Sequence, residues 1–193
     1  QVESLFSQLG KEFGHLDYLI HSIAYAPPPS FGQRFINISR SDFTLAMEVS
    51  AYSLIALANG AFPLMKDQGG CILAMTYYAG EKVIPGYQLM SITKAALDNI
   101  IRNMAFDLAP HAIRVNGLSP GPTATKAGTS IPGFEIMQNH MREFAPLRKE
   151  ILNTDAGKAA LFLCSPLAEK ITGEIVHIDG GYNIMGMTLK PPD

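Results

Sequence analysis

Tyr77, Tyr87 and Lys94 are the residues whose types and spacing can do chemistry, within the segment Thr76–Lys94, TYYAGEKVIPGYQLMSITK. A phenol has a pKa of about 10, so it stays protonated at neutral pH and donates a good hydrogen bond. A lysine ammonium binds sugar hydroxyls and favours negative charge on a neighbouring oxygen. Tyr87 and Lys94 lie seven positions apart. That is close to two helical turns, which puts both on one face ~10 Å apart along the axis. The separation excludes direct contact and suits two grips on one extended ligand. A half-buried tyrosine and a surface lysine also meet this spacing by chance, so spacing alone leaves both readings open.

The elements that must hold these residues can be read from apolar patterning. Val2, Leu5, Phe6, Leu9 and Phe13 recur at helical spacing, with Gly14 as a stop. Leu16–Ser22 reads as a short buried strand, followed by a Pro-rich loop. Ser41 or Asp42 can cap a long helix that Pro63 bends or ends. Strands are expected at Cys71–Thr76, Ile113–Leu118 and Glu174–Ile178, and helices at Tyr87–Leu108, Phe134–Arg142 and, capped by Thr154, through Leu163. Apolar strands alternating with helices predict an α/β fold, a doubly wound parallel sheet covered on both faces. Tyr77 and Tyr78 then stand at the carboxyl end of a strand, where ligands bind in such sheets.

With 193 residues the chain suits one domain, 1–193. Apolar residues make up 47% and charged ones 17%, against roughly 25% charged in an ordinary soluble domain. So little charge points to a surface partly covered by copies of the chain. A net charge of -2 with scattered basic residues gives no electrostatic case for nucleic acid or an anionic membrane. No apolar run approaches the ~20 residues of a membrane span, and no signal-peptide pattern opens the chain, so a soluble, cytoplasmic protein is expected. Cys71 and Cys164 read as small core residues rather than a disulfide. The five histidines show no metal-ligand spacing, so no metal is expected. The chain opens at Gln1, and no G-x-G-x-x-G cluster follows an early strand. The expectation is therefore a fold lacking its first βαβ portion, on the order of 60 residues at ~30 per unit, with strand Leu16–Ser22 left at an unpaired edge.

The segment Tyr77–Lys94 resembles the bacterial and plastid enoyl-acyl-carrier-protein reductases, a divergent branch of the short-chain dehydrogenases. Their pattern is a tyrosine, nine residues, a second tyrosine, six residues, then lysine, and Tyr77, Tyr87 and Lys94 match it. Ordinary members of the superfamily use Tyr-x-x-x-Lys with a serine thirteen residues before the tyrosine; here those positions are Met90 and Tyr77. The likeness continues through His21–Pro27, through Val49–Ser53, where Ser50 stands in place of an asparagine, and through Arg114–Asn116, Ser119–Thr125 and Ile175–Met187. The chain departs from common family choices at Ala24, usually glycine, which narrows that wall, and at Pro120, often alanine.

The resemblance implies reduction of the 2,3 double bond of a trans-2-enoyl thioester on acyl carrier protein, with NADH (or NADPH) as hydride source, by a homotetramer. Tyr87 would stabilise the enolate oxygen, Lys94 would hold the nicotinamide ribose, and Tyr77 would border the pocket. Ser22, Ile23, Thr76, Gly121, Pro122, Thr123 and Thr125 would contact the cofactor. Ala24, Ala26, Ile131, Phe134 and Met137 would line the substrate pocket, with residues 119–150 as the substrate-binding loop and its short helix. Met is suited to such a flexible channel, although helical spacing by itself makes Phe134 and Met137 core residues. Two rivals remain: a 3-oxoacyl or other carbonyl reductase of the superfamily, and a non-catalytic truncated chain serving as an assembly surface.

Overall fold

Four strands, β1 (Tyr18–His21), β2 (Gly70–Met75), β3 (Ile113–Pro120) and β4 (Ile175–Ile178), line up in that spatial order in the computed structural model, which describes residues 1–189. The last four residues of the expected domain lie outside the described residues. All neighbours pair in parallel, with Tyr18 opposite Cys71, Gly70 opposite Ile113 and Gly117 opposite Ile175. Parallel neighbours need long crossovers. These hold α2 (Arg40–Met47) and α3 (Ser53–Met65) between β1 and β2, α4 (Gln88–Leu108) between β2 and β3, and α5 (Lys126–Thr129), α6 (Phe134–Phe144) and α7 (Asn153–Cys164) between β3 and β4; α1 (Val2–Phe13) precedes β1.

Alternation along β2 divides the core. Ile72 and Ala74 pack with Leu54, Ala58, Leu97 and Ile101 under α3 and α4, while Leu73 faces Leu118 and Leu163 under α7. The expected doubly wound sheet is therefore present among the described residues. β1 forms one edge, and Tyr18 and Ile20 on it are more than half exposed, 52% and 55%. Apolar edges of this kind are templates for pairing. Cys71 and Cys164 are both free thiols.

Several local details differ from the sequence reading. Ser39, not Ser41 or Asp42, caps α2: its hydroxyl accepts from Asp42 N at 3.0 Å, and its extended backbone ends the preceding loop. Pro63 lies inside α3, which continues to Met65. Thr154 sits within the first turn of α7, whose N-terminus is closed by Asp155 accepting from Leu152 N. Within residues 119–150, expected to be a loop with one short helix, Thr125 caps a second short helix, α5, by accepting from Gly128 N.

The long helix expected from Ser41 or Asp42 to Pro63 is present: α2, a π-helical turn (Glu48–Tyr52) and α3 join into one helical run, Arg40–Met65. By length and composition alone it could cross a bilayer. Its inner face, Leu54, Ala58, Ala61 and Met65, is buried against the sheet, as in any core helix of a parallel α/β domain.

Candidate active site

The carboxyl ends of the strands bring four loops to one rim, the place where open parallel sheets bind ligands. Past β1, Ser22–Ala26 forms a strap across the rim. Ser50 holds it down by accepting from Tyr25 N and donating to Tyr25 O, each at 2.9 Å. Ser50 is fully buried within the π-helical turn, a distortion common at functional sites. The serine that stands where ordinary short-chain dehydrogenases carry an asparagine is thus occupied in clamping the strap.

Beyond β2 comes Tyr77, and the chain re-enters the site at Tyr87, the residue before α4. Gln88 ties this start to the facing loop, accepting from Gly32 N and donating to Gln33 O. Tyr87 and Lys94 both open onto a cleft of about 470 Å³. Its walls come from Ser22, Ile23, Ala24 and Ala26 on one side and Thr123, Thr125 and Ile131 on the other. A narrower cavity of about 130 Å³ joins Tyr77 and Tyr87 to Gly121, Pro122, Phe134 and Met137. Beyond Tyr77 an apolar cavity of about 450 Å³ runs under α6, between Ile84, Met137 and Met141.

Lys94 is 5% exposed, and its Nζ donates to Met75 O at 2.9 Å. Burial pulls its pKa from 10.5 to about 8, against the raising effect of Asp98, so it is mainly cationic at neutral pH. Tyr87 is 7% exposed, and burial pushes its phenol above the usual range. Tyr77 moves the same way, through burial first and the neighbouring Tyr87 second. Their rings meet edge-on with centroids 5.2 Å apart. Both phenols therefore stay protonated, able to donate but not to titrate near neutrality.

His21, at the end of β1, is fully buried. Burial, then the charge of Lys94, lowers its pKa to about 4. Ser53 Oγ donates to Val49 O at 2.7 Å, so the 2.8 Å contact to His21 Nε2 has the imidazole N–H as donor. Neutral His21 leaves Lys94 the cation of the cleft among the described residues.

Comparison with known proteins decides the lineage. Residues 1–183 match the family model described as Enoyl-(Acyl carrier protein) reductase. The NADH-dependent enoyl-acyl-carrier-protein reductase FabI of Aquifex aeolicus is 45% identical over 186 residues, covering 96% of this chain and 69% of that protein. The chain belongs to the enoyl-acyl-carrier-protein reductase family. The Synechocystis FabI is 44% identical, with 97% of this chain and 72% of the relative covered. Among solved structures, the Aquifex aeolicus reductase superposes with a TM-score of 0.92 at 45% identity, covering 96% of this chain and 73% of that one. The Anaplasma phagocytophilum reductase, solved with NAD, gives 0.92 at 37% identity, covering 100% and 71%.

The family-matched region includes every residue of the rim. Of the residues singled out from sequence, all but Thr76 line the two cavities that meet at Tyr87. Thr76 is buried, and its hydroxyl donates to Asp98 Oδ1 on α4, so its side chain turns away from the cleft. Ile72, Ala74 and Thr76 share one strand face, towards α4, which is why. Met75 takes its place at the cleft wall and supplies the carbonyl that Lys94 grips. Sequence reasoning missed the parts played by Met75, His21 and Asp98. The signal for Asp98 was present, since it follows Lys94 by four residues, one helical turn.

Proposed function

We propose that this protein reduces trans-2-enoyl thioesters carried on acyl carrier protein, using NADH. One observation carries the reading: Tyr87 and Lys94 open onto one cleft, while Met90, where the carbonyl reductases of the superfamily carry the tyrosine of Tyr-x-x-x-Lys, is a buried thioether at the wall. With a methionine four residues before Lys94 and a tyrosine in the serine position, 77, the relay of the 3-oxoacyl and other carbonyl reductases lacks its parts.

The donor set of the cleft fits the nicotinamide riboside half of the cofactor. Lys94 spends one N–H on Met75 O, leaving two of its three donors for ribose hydroxyls. Ser22, Ile23, Thr123 and Thr125 line the same cleft, with Gly121 and Pro122 at its inner end. The cofactor, when bound, supplies a hydride to the β-carbon of the enoyl group. Tyr87 then donates a hydrogen bond to the thioester oxygen as it gains negative charge, an interaction strongest in the transition state. Burial of Tyr87 removes competing water and keeps its proton in place. Tyr77 borders the pocket edge-on to Tyr87 and restricts how the thioester lies. Ala24 and Ala26 on the strap, with Ile131, Phe134 and Met137 of the 119–150 segment, form the acyl walls.

The reading extends to assembly as a homotetramer in the cytoplasm. Tyr52, Ile55 and Phe106 are exposed on α3, its preceding turn and α4, at 57%, 41% and 86%. A two-fold contact between the segments Asp42–Pro63 and Tyr87–Leu108 would cover them. A stable contact of this kind buries at least ~1,200 Å². Light scattering of the intact protein at micromolar concentration is expected to give four chains; a monomer contradicts the proposal. The activity itself is tested by turnover of crotonyl against acetoacetyl thioesters with NADH.

A further inference from the structure

Asp98 is 4% exposed on α4, one turn past Lys94, and its Oδ1 accepts the hydroxyl of Thr76 at 2.5 Å. The preceding residue, Met75, accepts from Lys94 Nζ at 2.9 Å. Two consecutive residues at the end of β2 thus grip two side chains one turn apart on α4. Gly80 closes the arrangement. A Cβ there would come within 2.8 Å of Asp98 Oδ2, 2.9 Å of Ala95 N and 3.0 Å of Lys94 C. No bulk separates the carboxylate from the lysine turn.

A buried carboxylate held by one hydroxyl is costly unless its charge is used. Three other charged or titratable groups face the Lys94–Asp98 pair: His21 from β1 beside Lys94, and Glu81 from the turn after β2 and Arg102 on α4 beside Asp98. His21 is neutral above pH about 4. Arg102 and Lys94 favour the ionised carboxylate, whereas Glu81 and, most strongly, burial oppose it.

We infer that Asp98 is a positioning residue for this reductase: anchored by Thr76 one helical turn past Lys94, its carboxylate supplies the buried negative charge that complements the Lys94 ammonium held on Met75 O. The inference rests on the cofactor-binding role proposed for Lys94. It assigns to Thr76 an indirect part, through the carboxylate, in place of a cofactor contact.

Asp98→Asn keeps the shape and the acceptor for Thr76 while removing the charge, so a purely structural role would leave the titration of Lys94 unchanged. NMR titration of the Lys94 side chain in the intact protein, without cofactor, is expected to show the midpoint lowered by about one pH unit. NADH affinity should be near wild type at pH 6 and about fivefold weaker at pH 8, the ratio such a shift gives when only the cation binds. An unmoved Lys94 midpoint overturns the inference. Should Asp98→Asn not fold, Lys94→Met reads the same coupling from the other side, because coupling is reciprocal. There the Asp98 carboxyl midpoint must rise, and an unchanged midpoint overturns the inference. Loss of NADH binding in Lys94→Ala with no coupling in either variant would sink this inference alone. Normal NADH binding in Lys94→Ala would instead sink the reading of the site, and the titration would still decide the role of Asp98.

Discussion

Lys94→Ala is expected to weaken NADH binding by ~10- to 150-fold, the range for lost hydrogen bonds to a charged group, and to lower turnover with it. The ammonium is the cation of the cleft, and its anchor on Met75 O fixes where its remaining donors point. Those contacts are made in every cofactor complex, ground state included, so the loss appears in affinity as well as rate. The same residue sets an alkaline limit. Burial brings the lysine to about 8, so the cation is present below that pH and lost above it. NADH affinity should decline as pH rises through about 8, while Tyr77 and Tyr87, both raised by burial, stay protonated. Fluorescence titration of NADH across this range, in wild type and Lys94→Ala, reads both effects. Equal affinities for the two proteins would show that Lys94 does not hold the cofactor.

Tyr87→Phe should behave differently in kind. It removes a hydroxyl and keeps a ring packed edge-on against Tyr77 and Phe31. The walls that receive the cofactor stay in place, so NADH affinity should be retained. The rate should drop ~10- to 1,000-fold, from the loss of an ordinary neutral hydrogen bond at the low end to that of an oxyanion donor at the high end. Because the oxygen carries most charge in the transition state, the loss should appear in kcat and kcat/KM together. NADH binding abolished by Tyr87→Phe, with binding and rate intact in Lys94→Ala, would exchange the roles assigned here.

How far the sequence carries can be seen residue by residue. The four strands were legible because a parallel sheet covered on both faces demands continuous apolar runs, and CILAMT and its neighbours are such runs. Helical periodicity placed Tyr87 and Lys94 on one face, and the resemblance of the Tyr77–Lys94 register to the enoyl reductases decided that the two act together. What sequence did not reveal depended on backbone detail. Ser39, Ser41 and Asp42 are all good caps by type, and only the extended backbone at Ser39 decides among them. The four residues of α5 are too few to show a helical period. Thr76 was misplaced by attending to its position after a strand and overlooking alternation, which puts it with Ala74 towards α4. The role of Ser50 depends on the strap folding back over the π-helical turn, a contact between residues 25 positions apart.

The central claim is reduction of a carbon–carbon double bond beside a thioester, rather than of a ketone. It is tested most directly by giving the intact protein NADH with crotonyl thioester or acetoacetyl thioester, under identical conditions, and following NADH oxidation. The arrangement of Tyr87, Met90 and Lys94 predicts rapid oxidation with the crotonyl substrate, yielding the saturated butyryl thioester, and none above background with acetoacetyl. Oxidation driven by acetoacetyl thioester while crotonyl thioester is recovered unchanged would contradict it.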